Sequence, residues 1–118
     1  MANRITAVAI DCVDPESLAA FWTQVLGWQV SDRAEGIVSI GDGPFTVDLV
    51  AVPEPKQSKN RLHLDVNPTD RDQDAELERL LALGATKVDV GQPADASWHV
   101  LADPEGNEFC LLRGRRDP

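Results

Sequence analysis

The chain is short of positive charge. Its 11 Lys and Arg residues face 20 Asp and Glu, for a formal net charge of −9 over 118 residues. Nucleic-acid binders need clustered cations to meet phosphates, so no nucleic-acid partner is expected. The one basic cluster, Arg113, Arg115 and Arg116, lies at the tail and reads as solubilising. Long apolar runs are also missing. None approaches the roughly 20 residues that a helix needs to cross a bilayer, so no membrane partner is expected. Met-Ala-Asn-Arg-Ile-Thr at the start lacks the apolar segment of a secretory signal, and a cytoplasmic location is the expectation. Cysteine is scarce. Cys12 and Cys110 show no CxxC spacing, which predicts two reduced thiols rather than a disulfide framework. There is no glycine-rich phosphate loop, no G-x-S-x-G and no H-E-x-x-H, so none of those three chemistries is announced.

What is present is an ordinary globular composition, 42% hydrophobic and 26% charged. A chain of this size can bury a core without staples. Residues 5–10 read as a strand. Asp14 is a good helix N-cap, and Pro15 at the first helical position has no donor to waste. Leu18, Phe21, Trp22, Val25 and Leu26 follow as one apolar helical stripe, and Gly27 is the expected stop. Core burial is the reading for Phe21, Trp22 and Trp28. Residues 28–33, 36–41 and 45–52 read as strands, with Gly41-Asp42-Gly43-Pro44 as a turn.

Residues 53–60 are polar and proline-bearing and read as a linker between module one (4–52) and module two (61–114) of one domain. The second module repeats the order. Residues 61–66 are a strand, a helix starts near Asp70, and Leu77, Leu80 and Leu81 form its stripe. Strands follow at 86–90, 98–102 and 108–113, with a tight turn at 103–107. Ala7 lies seven residues before Asp14, as His63 does before Asp70. The helix-stop glycines fall 20 and 21 residues after Ala7 and His63. Two copies of a βαββ unit in an α+β domain are the economical reading.

Three stretches carry a resemblance. They are Asp14-Pro15-Glu16-Ser17-Leu18-Ala19-Ala20-Phe21-Trp22 with Leu26-Gly27-Trp28, then Asn60-Arg61-Leu62-His63-Leu64-Asp65-Val66, and then Trp98-His99-Val100-Leu101-Ala102-Asp103-Pro104-Glu105-Gly106-Asn107-Glu108-Phe109. In order and at these spacings, the chain resembles the vicinal oxygen chelate superfamily in its glyoxalase-like branch. The resemblance implies a curved mixed sheet from two modules around a central cleft. In metal-dependent members that cleft holds a divalent ion on His, Gln or Glu from the first and last strands of each module.

Strand alternation tests that site, because side chains two apart share a face. Leu62, Leu64 and Val66, with Phe109 and Leu111, should pack under the helices. Arg61, His63 and Asp65, with Glu108, Cys110 and Leu112, should face the cleft. In module one Val8 and Ile10 face the helix. Ile5, Ala7, Ala9 and Asp11 do not, and Thr46, Asp48 and Val50 join them. The family's ligand positions map to Ala7, Asp48 (with Val50 as competitor), His63 and Cys110. Ala7 cannot hold a metal, and thiolate suits a hard ion poorly. The metal site therefore reads as degraded, and no cofactor is expected. Zn²⁺ on Asp48, His63 and Cys110 is the one metal alternative.

His63 is available as an acid or base, or else it is a half-buried histidine bonded to Asp65 or Asp48. Trp98 reads as a pocket wall or as core, Cys110 as an apolar filler or a reactive thiol, and His99 as a surface residue. The expected function is binding of a small organic molecule by Ala7, Asp48, His63, Asp65, Trp98 and Cys110. The alternatives are a metal-dependent lyase, isomerase or dioxygenase, and a non-catalytic interaction module, with a homodimer left open.

Overall fold

The computed structural model describes residues 2–41 and 43–118. Asp42, in the turn expected at 41–44, lies outside the described residues. The chain divides into two compact units, Met1–Lys56 and Gln57–Pro118.

The first unit runs β1 (Ala7–Cys12), α1 (Pro15–Leu26), β2 (Val30–Ala34), β3 (Ile37–Ile40) and β4 (Thr46–Ala51). Its four strands form one mixed sheet in the order β1-β4-β3-β2. β1 and β4 run parallel; β4–β3 and β3–β2 run antiparallel. Asp14 caps α1 by accepting the Ser17 amide at 3.1 Å. Gly27 closes it in the left-handed conformation at φ 67°, with its N–H on the Thr23 carbonyl. Glycine takes that conformation without a Cβ penalty, which is why the helix stops there.

α1 packs on β3 and β4. Leu18, Ile40 and Leu49 are fully buried in this unit. Burying each such side chain contributes about 1.5–3 kcal/mol. Phe21 and Trp22, both buried, meet edge to face with centroids 5.3 Å apart. Trp28 is only half-buried, so the core reading holds in full for Phe21 and Trp22 and in part for Trp28. Cys12 is buried, at the same parity as Val8 and Ile10, and its thiol reaches the Val50 carbonyl at 3.7 Å.

The second unit repeats this permutation. It runs β5 (Leu64–Val66), α2 (Gln73–Leu83), β6 (Thr86–Lys87), β7 (His99–Ala102) and β8 (Glu108–Leu111). The sheet order is β5-β8-β7-β6, with β5 and β8 parallel and the other pairs antiparallel. The architecture is α+β, two four-stranded mixed sheets with one helix each.

The second helix starts near Asp70 as expected, with Asp72 as its cap accepting the Ala75 amide at 2.9 Å, while Asp70 pairs with Arg71 at 2.8 Å. Two local expectations are corrected. β5 begins at Leu64, where its ladder with Phe109 begins. Leu62 therefore lies outside the sheet and is 87% exposed rather than packed under a helix. β6 stops at Lys87 because the chain closes on itself. Asp89 accepts the Gly91 amide at 2.8 Å, and the Gln92 side chain bonds the Val90 amide and the Val88 carbonyl. Gly91 sits at φ 90°, outside the strand region.

Candidate functional site in the second unit

The site follows from register. Asp65 on β5 is the neighbour of Cys110 on β8, and Cys110 is the neighbour of Val100 on β7. Cross-strand neighbours share a face, and so do residues two apart along a strand. One side of the sheet therefore collects His63 and Asp65, then Glu108, Cys110 and Leu112, then Trp98 and Val100. These seven line one cavity of about 470 Å³, joined by Lys59 and by Val90, Gly91 and Gln92. The opposite face holds Leu101, Phe109 and Leu111, all fully buried. His99 is paired with Leu111, is half-buried and does not line the cavity.

Two polar contacts organise the floor. His63 Nδ1 lies 3.0 Å from Asp65 Oδ1 and 3.8 Å from Cys110 Sγ. His63 and Asp65 keep 43% and 48% of their side chains accessible, whereas Cys110 is buried. Burial pushes the Cys110 thiol above its ordinary value of 9.0. The negative charge of Asp65 and a hydrogen bond to it act the same way, against a smaller opposing pull from Lys59. The thiol is therefore protonated near neutral pH. A cysteine–histidine nucleophile pair needs one ring nitrogen for the thiol and the other for the orienting carboxylate. Here a single nitrogen faces both groups, so the arrangement is not that of a primed nucleophile.

The rim is fastened separately. The Asn60 amide N–H donates to Glu108 Oε1 at 2.9 Å, and Asn60 Nδ2 donates to Asn107 Oδ1 at 3.0 Å. Asn107 in turn donates to both oxygens of the buried Asp103. Lys59 Nζ donates to the Asn60 carbonyl at 3.1 Å.

Of the residues expected to bind ligand, the structure brings His63, Asp65, Trp98 and Cys110 together around this cavity. Trp98, at 36% exposure, is a wall rather than core. Ala7 and Asp48 belong to the first unit. Ala7 is exposed on β1, and Asp48 is half-buried on β4, where Thr46 Oγ1 donates to it at 3.0 Å. The carboxylate beside His63 and Cys110 is Asp65. Sequence reasoning missed Lys59, which read as linker, and the Val90–Gln92 turn, which read in part as strand. The Val-Gly-Gln segment with its turn-forming glycine was the available signal for the latter.

The profile of the glyoxalase-like domain family matches residues 7–112. The chain belongs to that family. Several solved structures share the fold of this glyoxalase-like chain. A glyoxalase/bleomycin resistance protein/dioxygenase family enzyme from Burkholderia phytofirmans PsJN is 23% identical, with 90% of this chain and 94% of that one covered and a TM-score of 0.69. The fosfomycin resistance protein FosX from Mesorhizobium loti is 16% identical, with coverages of 97% and 94% and a TM-score of 0.75. A variant of FosX from Listeria monocytogenes, complexed with Mn(II) and 1S,2S-dihydroxypropylphosphonic acid, is 14% identical, with coverages of 97% and 92% and a TM-score of 0.76. At these identities the likeness is one of fold. No curated protein matches the chain.

Proposed function

We propose that the chain binds a small organic molecule in the second-unit cavity, without the kind of hard divalent ion that the Listeria FosX structure holds. The observation that carries the reading is the convergence of one sheet face on an open space of about 470 Å³. That size suits a small ligand. Trp98, Val90, Val100 and Leu112 offer an apolar wall for a flat or branched hydrocarbon part. Lys59 and Gln92 supply donors, Asp65 supplies an acceptor, and His63 supplies either according to its tautomer. Glu108 has one oxygen engaged by Asn60, which fixes its direction.

The donor chemistry argues against Mn²⁺ or Mg²⁺. Among the described residues, the group of three potential ligands here is His63, Asp65 and Cys110. Hard ions prefer oxygen donors, and a buried protonated thiol is a poor one. An open cavity also favours ligand binding over a collapsed interaction module.

The test is a broad thermal-shift screen of small organic compounds on the full chain, with hits confirmed by calorimetry. A ligand that binds N but not U raises the melting temperature in proportion to its saturation. Hits are expected to lose affinity in Trp98→Ala and to be indifferent to added Mn²⁺. A screen without a single reproducible stabiliser would sink the proposal.

A further inference from the structure

We propose that Gln73 is the positioning residue of the second-unit cavity: its side-chain amide clasps two strand ends and so fixes the apolar wall formed by Trp98 and Leu112. This role rests on the ligand-binding reading above and gives the site a preference for flat aromatic groups. Gln73 Nε2 donates to the Ser97 carbonyl at 2.9 Å and to the Leu111 carbonyl at 3.2 Å. An amide nitrogen carries two hydrogens, and here each finds its own acceptor. The two carbonyls belong to the peptide units that lead into Trp98 and Leu112. Both of those side chains line the cavity.

The strand ends need this tie. The β7–β8 ladder stops at His99 and Leu111, so Trp98 and Leu112 stand one step beyond its last rung. On the β8 side the next peptide unit is held at both of its polar groups, because the Leu112 N–H donates to the Val66 carbonyl at 2.8 Å. On the β7 side Trp98 follows a loop. Among the described residues, segment 89–97 bonds within itself and to Val88 across two to four residues. Gln73, 24 residues from Ser97, ties that loop to α2. The peptide unit is planar, so holding its carbonyl sets the plane from which the next Cα projects its side chain.

Gln73 is placed for this. It is the first residue of α2, directly after the Asp72 cap. Helical Cα–Cβ bonds tilt toward the N-terminus, so the first residue sends its side chain off the helix end. Gln73 is half-buried, and holding a glutamine in one geometry costs rotamer freedom that the two bonds offset.

The test separates the clasp from the helix. Gln73→Glu keeps the length and adds a negative charge where the helix dipole favours one, but it turns the two donors into acceptors facing carbonyls. Gln73→Lys is the worse helix start and keeps donors. The full chain is labelled with 5-fluorotryptophan, and its three fluorine resonances are followed without ligand. Trp98→Phe assigns the Trp98 signal. That signal should be displaced or broadened in Gln73→Glu and stay near the parent position in Gln73→Lys. Trp22 and Trp28 should not move in either. The flat alcohol 2-naphthol and the globular 1-adamantanol are then titrated. Gln73→Glu should bind 2-naphthol about tenfold more weakly, the upper end of what ring geometry adds beyond area, with 1-adamantanol little changed.

If Gln73→Glu does not fold, Gln73→Met replaces it, being equally long, a good helix former and without donors. An unmoved Trp98 resonance in the folded Glu or Met variant would overturn the proposal. So would a Gln73→Lys variant as disturbed as Gln73→Glu, or an unchanged preference between the two alcohols. Failure of both alcohols to bind the parent would count against the cavity as a ligand site, not against the clasp, which the ligand-free resonance decides.

Discussion

Asn60 and Asn107 are joined side chain to side chain at 3.0 Å, across 47 residues of sequence. The bond ties the segment just before β5 to the turn just before β8. Lys59 and His63 flank that anchor in sequence, and both line the cavity. Asn60→Ala removes the side-chain tie, keeps the backbone bond to Glu108 and leaves a buried acceptor on Asn107 unpaired. The expected stability loss is about 1 kcal/mol. Affinity for any cavity ligand should fall by about tenfold, equivalent to about 1.4 kcal/mol. Calorimetric titration beside urea unfolding separates the two effects. Unchanged affinity in a variant that has lost stability would show that the anchor does not position the rim.

Asp103 is the centre of the same turn. It is 3% exposed and accepts the amides of Glu105 and Asn107 as well as the Asn107 side chain. Asp103→Ala strands those donors in the interior. A loss of about 3 kcal/mol is expected, the upper end for unsatisfied buried donors. Asp103→Asn keeps one acceptor oxygen and should lose markedly less. The urea midpoint reads both. Equal losses would mean that the turn is held by packing rather than by these bonds.

The lettering of the sheet was legible before any coordinates, and its limits are instructive. Period-two alternation alone groups His63 with Asp65, Glu108 with Cys110 and Leu112, and Trp98 with Val100. The ladder then sets these groups side by side. Alternation cannot say where a strand begins. Leu62 has the right parity and the right chemistry for the core, yet the ladder opens at Leu64 and leaves it outside. Nor does alternation describe chain that is not in a strand. Lys59 and the Val90–Gln92 turn reach the cavity through side-chain-to-backbone bonds that no periodicity announces. The sequence left the partner carboxylate of His63 open between Asp65 and Asp48, and the structure has Asp65 there. A family pattern pointed to Asp48 on another strand, while the simplest local rule, two residues along, pointed to Asp65.

That distinction sets up a contrast of two leucines. Leu101, on β7, is fully buried, and Leu101→Ala should cost about 2–5 kcal/mol through lost transfer energy and the cavity left behind. Leu62→Ser, at a side chain 87% exposed, should stay within about 0.5 kcal/mol of the parent. Chemical denaturation of both variants checks the register. A large loss at Leu62 would mean that β5 begins earlier.

Cys110 gives a pH prediction. Its thiol value is raised in the folded chain above the ordinary 9.0, chiefly by burial and then by Asp65. The folded state therefore holds this proton more tightly than the unfolded state does. The associated stability is fully present below the unfolded value and is lost as pH rises through the folded one. Unfolding free energy should decline on the alkaline side of about pH 9, and Cys110→Ala should remove that part of the decline. Alkylation of Cys110 should be slow at pH 7 and should quicken in Asp65→Asn, where a charge that opposes the thiolate is gone. Mass spectrometry distinguishes Cys110 from Cys12. Rapid modification at neutral pH in the native chain would contradict the assigned direction.

Trp98 tests the wall of the cavity most directly. It is the one tryptophan of the three that lines the cavity, since Trp22 is buried in the first unit and Trp28 also belongs there. An aromatic wall contributes by apolar area and by ring geometry. Trp98→Ala should therefore weaken a flat apolar ligand by more than about tenfold, or about 1.4 kcal/mol. Trp98→Phe should recover most of that. Because the side chain is 36% exposed, the unfolding midpoint should move little in either variant. Ligand-induced change in tryptophan emission should vanish with Trp98→Ala. Its persistence would place the bound molecule elsewhere on the chain.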